Sequence, residues 1–387
     1  MLQRPERRPP GFEGISAALA EPFAGMPSSV PMEAITFAIG VFLLALTFWD
    51  LFQTIVVPRP TPGWFRISRY LVRGSWRVLR SFLGRPGSAH DTIFGLFAPA
   101  MTVALLATWL IGLIVGYGLI LYAARDELQP VPTNLGATLY FAATSVLTLG
   151  FGDIVAEGGV ARLVVSVAAI GGLGVVALVV TFLFSLYGSY QRREMRVVML
   201  QASAGAPPSA VALLESYAHL DIVERLPDLF RDWQQWAAEV LDSHVAYPLL
   251  GYFRSSHDNL SWISALGTML DASSLVLTTI EGLPRGDAKL FKRMGTHLVE
   301  DISNLGFRAG TPSGLLDRSD FEVVCDRLEM AGYPIEPRDA AWASFEAARA
   351  TYSTRLEGMA SYWATPSAQW LGDPLQLRQP LHRVDDP

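Results

Sequence analysis

Gly150 and Gly152 alternate with bulky Leu149 and Phe151 inside the run Thr144 to Asp153, T-S-V-L-T-L-G-F-G-D. A strand gains nothing from glycine at alternate positions, because glycine weakens strands. The pattern makes sense if the backbone is the working surface. Glycine takes positive φ, so successive carbonyls can turn to one side while the large side chains turn away. A row of carbonyls plus the Thr148 hydroxyl can replace the water shell of a dehydrated cation. A plain glycine turn is the alternative, and the flanks argue against it. Ile93 to Ala123, with no charged residue, precedes the run, and apolar Val160 to Tyr190 follows. Each is long enough to cross about 30 Å of hydrocarbon.

The core, T-L-G-F-G-D at Thr148 to Asp153, resembles the potassium-channel signature, usually T-V-G-Y-G-D, and Ser145 falls where that family often has another hydroxyl residue. The resemblance implies an outer helix, a short re-entrant pore helix at Leu135 to Leu147, a selectivity filter and an inner helix. It assigns K⁺ binding to Thr148, Leu149, Gly150 and Phe151, with Gly152 completing the filter and Asp153 at its mouth. Tyr140 and Phe141 occupy the place of two tryptophans that brace the filter. Together with Phe151 for the usual tyrosine, this replacement is expected to remove hydroxyl and indole donors. Filter rigidity and inactivation should feel it more than ion choice. Gly172 stands where the family's inner helix commonly has a hinge; close packing is the other reading. Leu173, Val176, Val180 and Phe184 share one helical face. They either line and gate a cavity by dewetting or pack on the outer helix. One filter per chain cannot surround an ion, so the resemblance implies a homotetramer. Potassium is the permeant ligand, and no cofactor is expected.

Composition agrees with a membrane protein carrying a sizeable polar part: 387 residues, 51% hydrophobic, 17% charged, mean hydropathy +0.30. Residues 197–387 hold 15 basic and 25 acidic residues; the whole chain has net charge −6, so residues 1–196 carry +4. No basic stripe points to nucleic acid. The single cysteine, Cys325, forbids an intrachain disulfide and reads as a buried thiol. Residues 1–32 lack an apolar core and read as a loose tail without a cleavable signal.

A first span is expected at 33–57, preceding the pore domain. Asp50 and Gln53 near its end are either functional or paired with Arg59 or a neighbouring helix. Residues 58–91 carry seven arginines; Arg66, Arg69, Arg73, Arg77 and Arg80 step by three or four. They read as an amphipathic helix on the inner membrane surface, or as a linker helix packed on the protein. By the positive-inside rule that loop is cytoplasmic, which puts the N-terminus and filter outside and the C-terminal half inside. Pro99 falls in the first turns of the second span, and Gly112 and Gly116 form a small-residue pair for close helix packing. The pore domain is assigned to 92–196 and a linker to 197–209.

The cytoplasmic helical domain is assigned to 210–364 and a tail to 365–387. Helical patterns cover Ala210–Leu220, Asp228–Tyr247, Leu260–Ile280, Ala288–Leu305, Ser319–Met330 and Ala340–Tyr362. His244, His257 and Asp258 lack a known metal spacing, and no catalytic motif appears, so no enzyme is expected. The run His244 to Ala272, containing Y-P-L-L-G-Y-F-R-S-S-H-D-N-L-S-W, resembles a C-terminal segment of uncharacterised bacterial channel-like proteins and brings no function with it. The expected fold is an all-α membrane protein: a tetrameric channel pore with one preceding span and a helical cytoplasmic domain. The expected function is passive K⁺ conduction across a bacterial inner membrane, modulated by the C-terminal helices or an unknown ligand on them. A weakly selective cation channel and a membrane-anchored sensor with a vestigial pore are the alternatives.

Overall fold

The structure, a computed structural model, describes residues 32–57, 66–83, 88–255, 260–304, 317–365 and 371. The N-terminal tail, most of the C-terminal tail, Arg59, Arg85, His257 and Asp258 lie outside the described residues. Among the described residues, three helices are long and apolar enough to cross a membrane, at Met32–Val56, Thr92–Ala123 and Gly159–Ala204. The described residues divide into two compact units: those up to Phe48 with Trp109–Val175, and those of Trp49–Thr108 with those from Val176 onward.

In the first unit, α1 (Met32–Leu51) lies against α3 (Ser88–Ala123). A Cβ at Gly116 would meet Leu44 at 2.7 Å, and one at Gly40 the Gly116 carbonyl oxygen at 2.7 Å. Small residues let the two backbones approach where lipid supplies no hydrophobic drive. After α3, β1 (Leu128–Gln129) pairs antiparallel with β2 (Val155–Ala156). This ladder closes the loop that holds α4 (Leu135–Val146). The Asn134 side chain caps α4, its Oδ1 accepting from Ala137 N at 3.0 Å. The chain then enters α5 (Gly159–Ala204).

The second unit holds the end of α1, α2 (Ile67–Leu83) and the later helices. These are α6 (Ala210–His219), α7 (Leu226–Ala246), α8 (Trp262–Thr278), α9 (Gly286–Ser303), α10 (Arg318–Met330), α11 (Arg338–Ala350) and α12 (Ser353–Tyr362). The pattern at Ala340–Tyr362 is two helices, α11 and α12, parted at Thr351–Tyr352. Helix α8 is buried from Trp262 to Val276, with α6, α7, α9, α11 and α12 packed against it. Cys325 is fully buried, and burial pushes its thiol up to about 11.

Four local expectations are changed or resolved. Helix α3 starts at Ser88, so Pro99 sits inside it and not in its first turns. Helix α5 runs on to Ala204, where Gly205 leaves helical geometry at φ 80°. Asp50 is fully buried and accepts from Ser68 N at 3.1 Å and Ser68 Oγ at 3.0 Å, which ties the end of α1 to the start of α2. Helix α2 is held on the protein: Trp76 is buried and donates Nε1 to the Tyr362 carbonyl at 2.9 Å.

Both ring nitrogens of His244 have protein partners. Its Nδ1 lies 2.8 Å from the Val240 carbonyl and its Nε2 3.2 Å from Arg193, and no group of three metal-ligating side chains occurs among the described residues. Burial first, and the Arg193 charge second, lower its pKa from 6.5 to about 3. The folded form thus binds fewer protons than the unfolded form between those values. Stability is full above about pH 6.5 and falls as pH drops below it, by up to about 1.4 kcal/mol per unit. Melting followed by tryptophan fluorescence from pH 7.5 to 5 should show this decline, flattened in His244→Gln. Parallel slopes in the two proteins would contradict it.

Candidate functional site: the loop after α4

Helix α4 ends at Val146 and its carbonyls hold the next turn. Leu147 N donates to Ala143 O at 2.9 Å, Thr148 N to Ser145 O at 3.1 Å and Leu149 N to Thr144 O at 2.7 Å. The Thr144 and Ser145 hydroxyls turn back on the Phe141 carbonyl, at 2.9 and 2.7 Å. From there the backbone alternates. Thr148 has φ 55°, Gly150 55° and Gly152 80°, whereas Leu149 and Phe151 are not left-handed. Left-handed geometry is strained for a residue with a Cβ, so Thr148 is an outlier that the surrounding turn imposes.

Leu149 is 55% exposed and Phe151 67%. Behind the loop, Phe141 is buried, and Tyr140 stacks on Phe151 with ring centroids 6.5 Å apart and planes 9° apart. The Tyr140 phenol lies close enough to Asp153 to feel its carboxylate. Of the three replaced residues Tyr140 alone keeps a donor, its phenol, whereas Phe141 and Phe151 have no polar atom. Tyr140→Phe removes that phenol and keeps the ring.

The loop is braced at its base by Glu127, which sequence reasoning missed. Its carbonyl accepts from Glu157 N at 2.9 Å and Gly158 N at 3.1 Å, and its Oε2 accepts from Ala161 N at 2.8 Å, in the first turn of α5. A carboxylate there satisfies an orphan amide and meets the positive end of the helix dipole. No local pattern marks Glu127. Asn134 did carry a readable signal, an N-cap residue just before an apolar run.

Against this loop packs α5. A Cβ built at Gly172 would overlap the carbonyl of Val146, whereas one at Gly174 meets nothing within 4 Å. Further along, Leu173, Val176, Val180 and Phe184 are 66%, 43%, 45% and 78% exposed in the single chain. They form an apolar stripe that continues Leu163, Val167 and Ile170.

A family model described as an ion channel matches residues 104–188, from within α3, through α4 and its loop, into α5. Residues 104–188 are thus similar to an ion-channel family. No curated protein and no solved structure matches the chain. The matched segment contains every loop residue described above, with Glu127, Asn134 and Gly172. It leaves α1, α2 and the helices after α5 without a counterpart.

Proposed function

We propose that this chain forms a potassium-selective channel from four copies, each giving one loop to a shared axis. The observation that carries the reading is the alternation of left-handed backbone at Thr148, Gly150 and Gly152. Alternating handedness is the geometry that turns successive carbonyls to the same side. K⁺ would lose its water to the carbonyls of Thr148, Leu149, Gly150 and Phe151 and to the Thr148 hydroxyl. Gly152 and Asp153 form the outer mouth. Tyr140, Phe141 and Ser145 hold the loop from behind.

The exposed stripe from Leu163 to Phe184 supports assembly, because a single chain leaves it uncovered. In a tetramer its lower part, Leu173, Val176, Val180 and Phe184, would line the cavity and close it by dewetting. The overlap at Gly172 favours packing over hinge bending at that residue. The reading places the filter outside and the arginine-rich segment and C-terminal helices inside a bacterial inner membrane, with those helices modulating opening. Purified protein in potassium-loaded liposomes should release K⁺ on dilution, and native mass spectrometry should show four chains. A monomer that still conducts would contradict a shared pore.

A specific consequence concerns Tyr140. Sustained currents of Tyr140→Phe should fall relative to peak current, since a filter that loses this phenol beside Asp153 leaves its conducting form more often. Unitary conductance should not change. Equal sustained currents would show that the Tyr140 phenol does not hold the filter.

A further inference from the structure

The stretch Y-P-L-L-G-Y-F-R, Tyr247 to Arg254, has no function by sequence, yet four side chains of α5 converge on it. Phe182 meets Tyr247 edge-on at 5.6 Å, and Tyr187 meets Phe253 at 5.7 Å. The Tyr190 hydroxyl donates to the Arg254 carbonyl at 3.0 Å. Arg193 is only 2% exposed; its guanidinium donates to the carbonyls of Leu250 at 3.0 Å and Phe253 at 2.8 Å, and pairs with Glu194 at 2.9 Å. It also lies over the rings of Tyr190 and Trp262, and the Arg193 carbonyl accepts from Trp236 Nε1 at 3.1 Å.

The opposite side of the same stretch grips other elements. Tyr252 packs edge-on against Trp76 of α2 at 5.2 Å and at a tilt against Phe97 of α3 at 5.5 Å. The Arg254 guanidinium lies 4.9 Å above Phe94. Tyr252 shares a hydrogen bond of 2.9 Å with the Tyr362 hydroxyl at the end of α12. One short segment therefore touches α5, α3, α2 and the last helix together.

We infer that Tyr247–Arg254 is a collar through which the C-terminal helices set the position of α5, with Arg193 as its positioning residue. This rests on the channel reading. Arg193 follows Phe184 by nine residues, roughly 14 Å along the helix, so the collar grips α5 just beyond the apolar stripe. A planar fork that donates to two carbonyls fixes both the rotation and the height of the helix. Lysine, a point donor, cannot hold both in the same way.

The test uses the full chain in planar bilayers. Arg193→Met should change open probability by about tenfold or more, because a buried charge-assisted network is lost. Unitary conductance and reversal potential should stay at wild-type values. Arg193→Lys should fall between the two. Hydrogen exchange of Arg193→Met should show residues 190–196 and 250–254 losing protection together, with 144–153 unchanged. Open probability within about twofold of wild type would overturn the inference, as would loss of protection spread evenly along the chain. If Arg193→Met does not assemble, Tyr190→Phe removes one hydroxyl without a cavity; it should shift open probability in a constant direction by about threefold, and no shift would overturn the inference. A wild type without current would sink the channel reading instead, and the paired loss of protection would still judge the collar.

Discussion

Replacing Gly150 or Gly152 by alanine is expected to abolish potassium flux while leaving membrane insertion intact. Both glycines are left-handed, at φ 55° and 80°. A Cβ in that conformation costs about 1–2 kcal/mol per residue. In a tetramer the cost is met four times at one ring of ligands. The cheapest relief is to rotate the peptide, which takes a carbonyl off the axis. Neither position has an atom within 4 Å of the built Cβ in the single chain, so the penalty is conformational and not a clash within the subunit. Insertion depends on the apolar spans and should survive. Flux from liposomes, normalised to inserted protein, reads the result. Wild-type flux in either variant would remove the filter assignment.

Gly172→Ala should have the second large effect, and it should act on assembly. The new methyl would meet the Val146 carbonyl, the last residue of α4, so α4 and α5 must part. Overpacking of this kind costs about 1–3 kcal/mol per chain, and backbone neighbours give way less readily than side chains. The recovered tetramer should fall severalfold and melt at lower temperature. Gly174→Ala is the internal comparison: its Cβ meets nothing within 4 Å, and alanine favours the helix by about 1 kcal/mol. Its tetramer should be recovered in normal yield. If Gly172→Ala assembles normally and lowers open probability about fivefold, the hinge reading is right and the packing reading is not.

Much of the membrane architecture was legible because lipid imposes a simple rule on sequence: uninterrupted apolar runs. The expected spans and the short helix after Thr133 all recur. The T-L-G-F-G-D loop was legible because alternate glycine has few uses, and the left-handed φ of Gly150 and Gly152 follows from that; the left-handed Thr148, which carries a Cβ, does not. Partner choice was not legible. Asp50 could pair with Arg59 or with a neighbouring helix, and nothing in the run around it names Ser68. Trp76 is one of several apolar residues spaced between the arginines of α2, yet it is the one that docks on the Tyr362 carbonyl. Glu127 and Arg193 act through backbone groups, which carry no residue identity and leave no trace in sequence. A tyrosine in place of tryptophan reads as a lost indole, and nothing local says that its phenol lies beside Asp153. The break between α11 and α12 escaped because neither glycine nor proline marks Thr351–Tyr352; the turn is set by Tyr352, which is fully buried and bonds Asp271 at 2.6 Å.

The most direct measurement is the reversal potential of purified full-length protein in a planar bilayer with K⁺ on one side and Na⁺ on the other. Carbonyls set for a dehydrated K⁺ predict a reversal potential far toward the potassium equilibrium value, with Na⁺ current below about one hundredth of the K⁺ current. A reversal potential near zero would contradict selective conduction and leave a weakly selective cation channel. No current under any voltage would contradict a working pore.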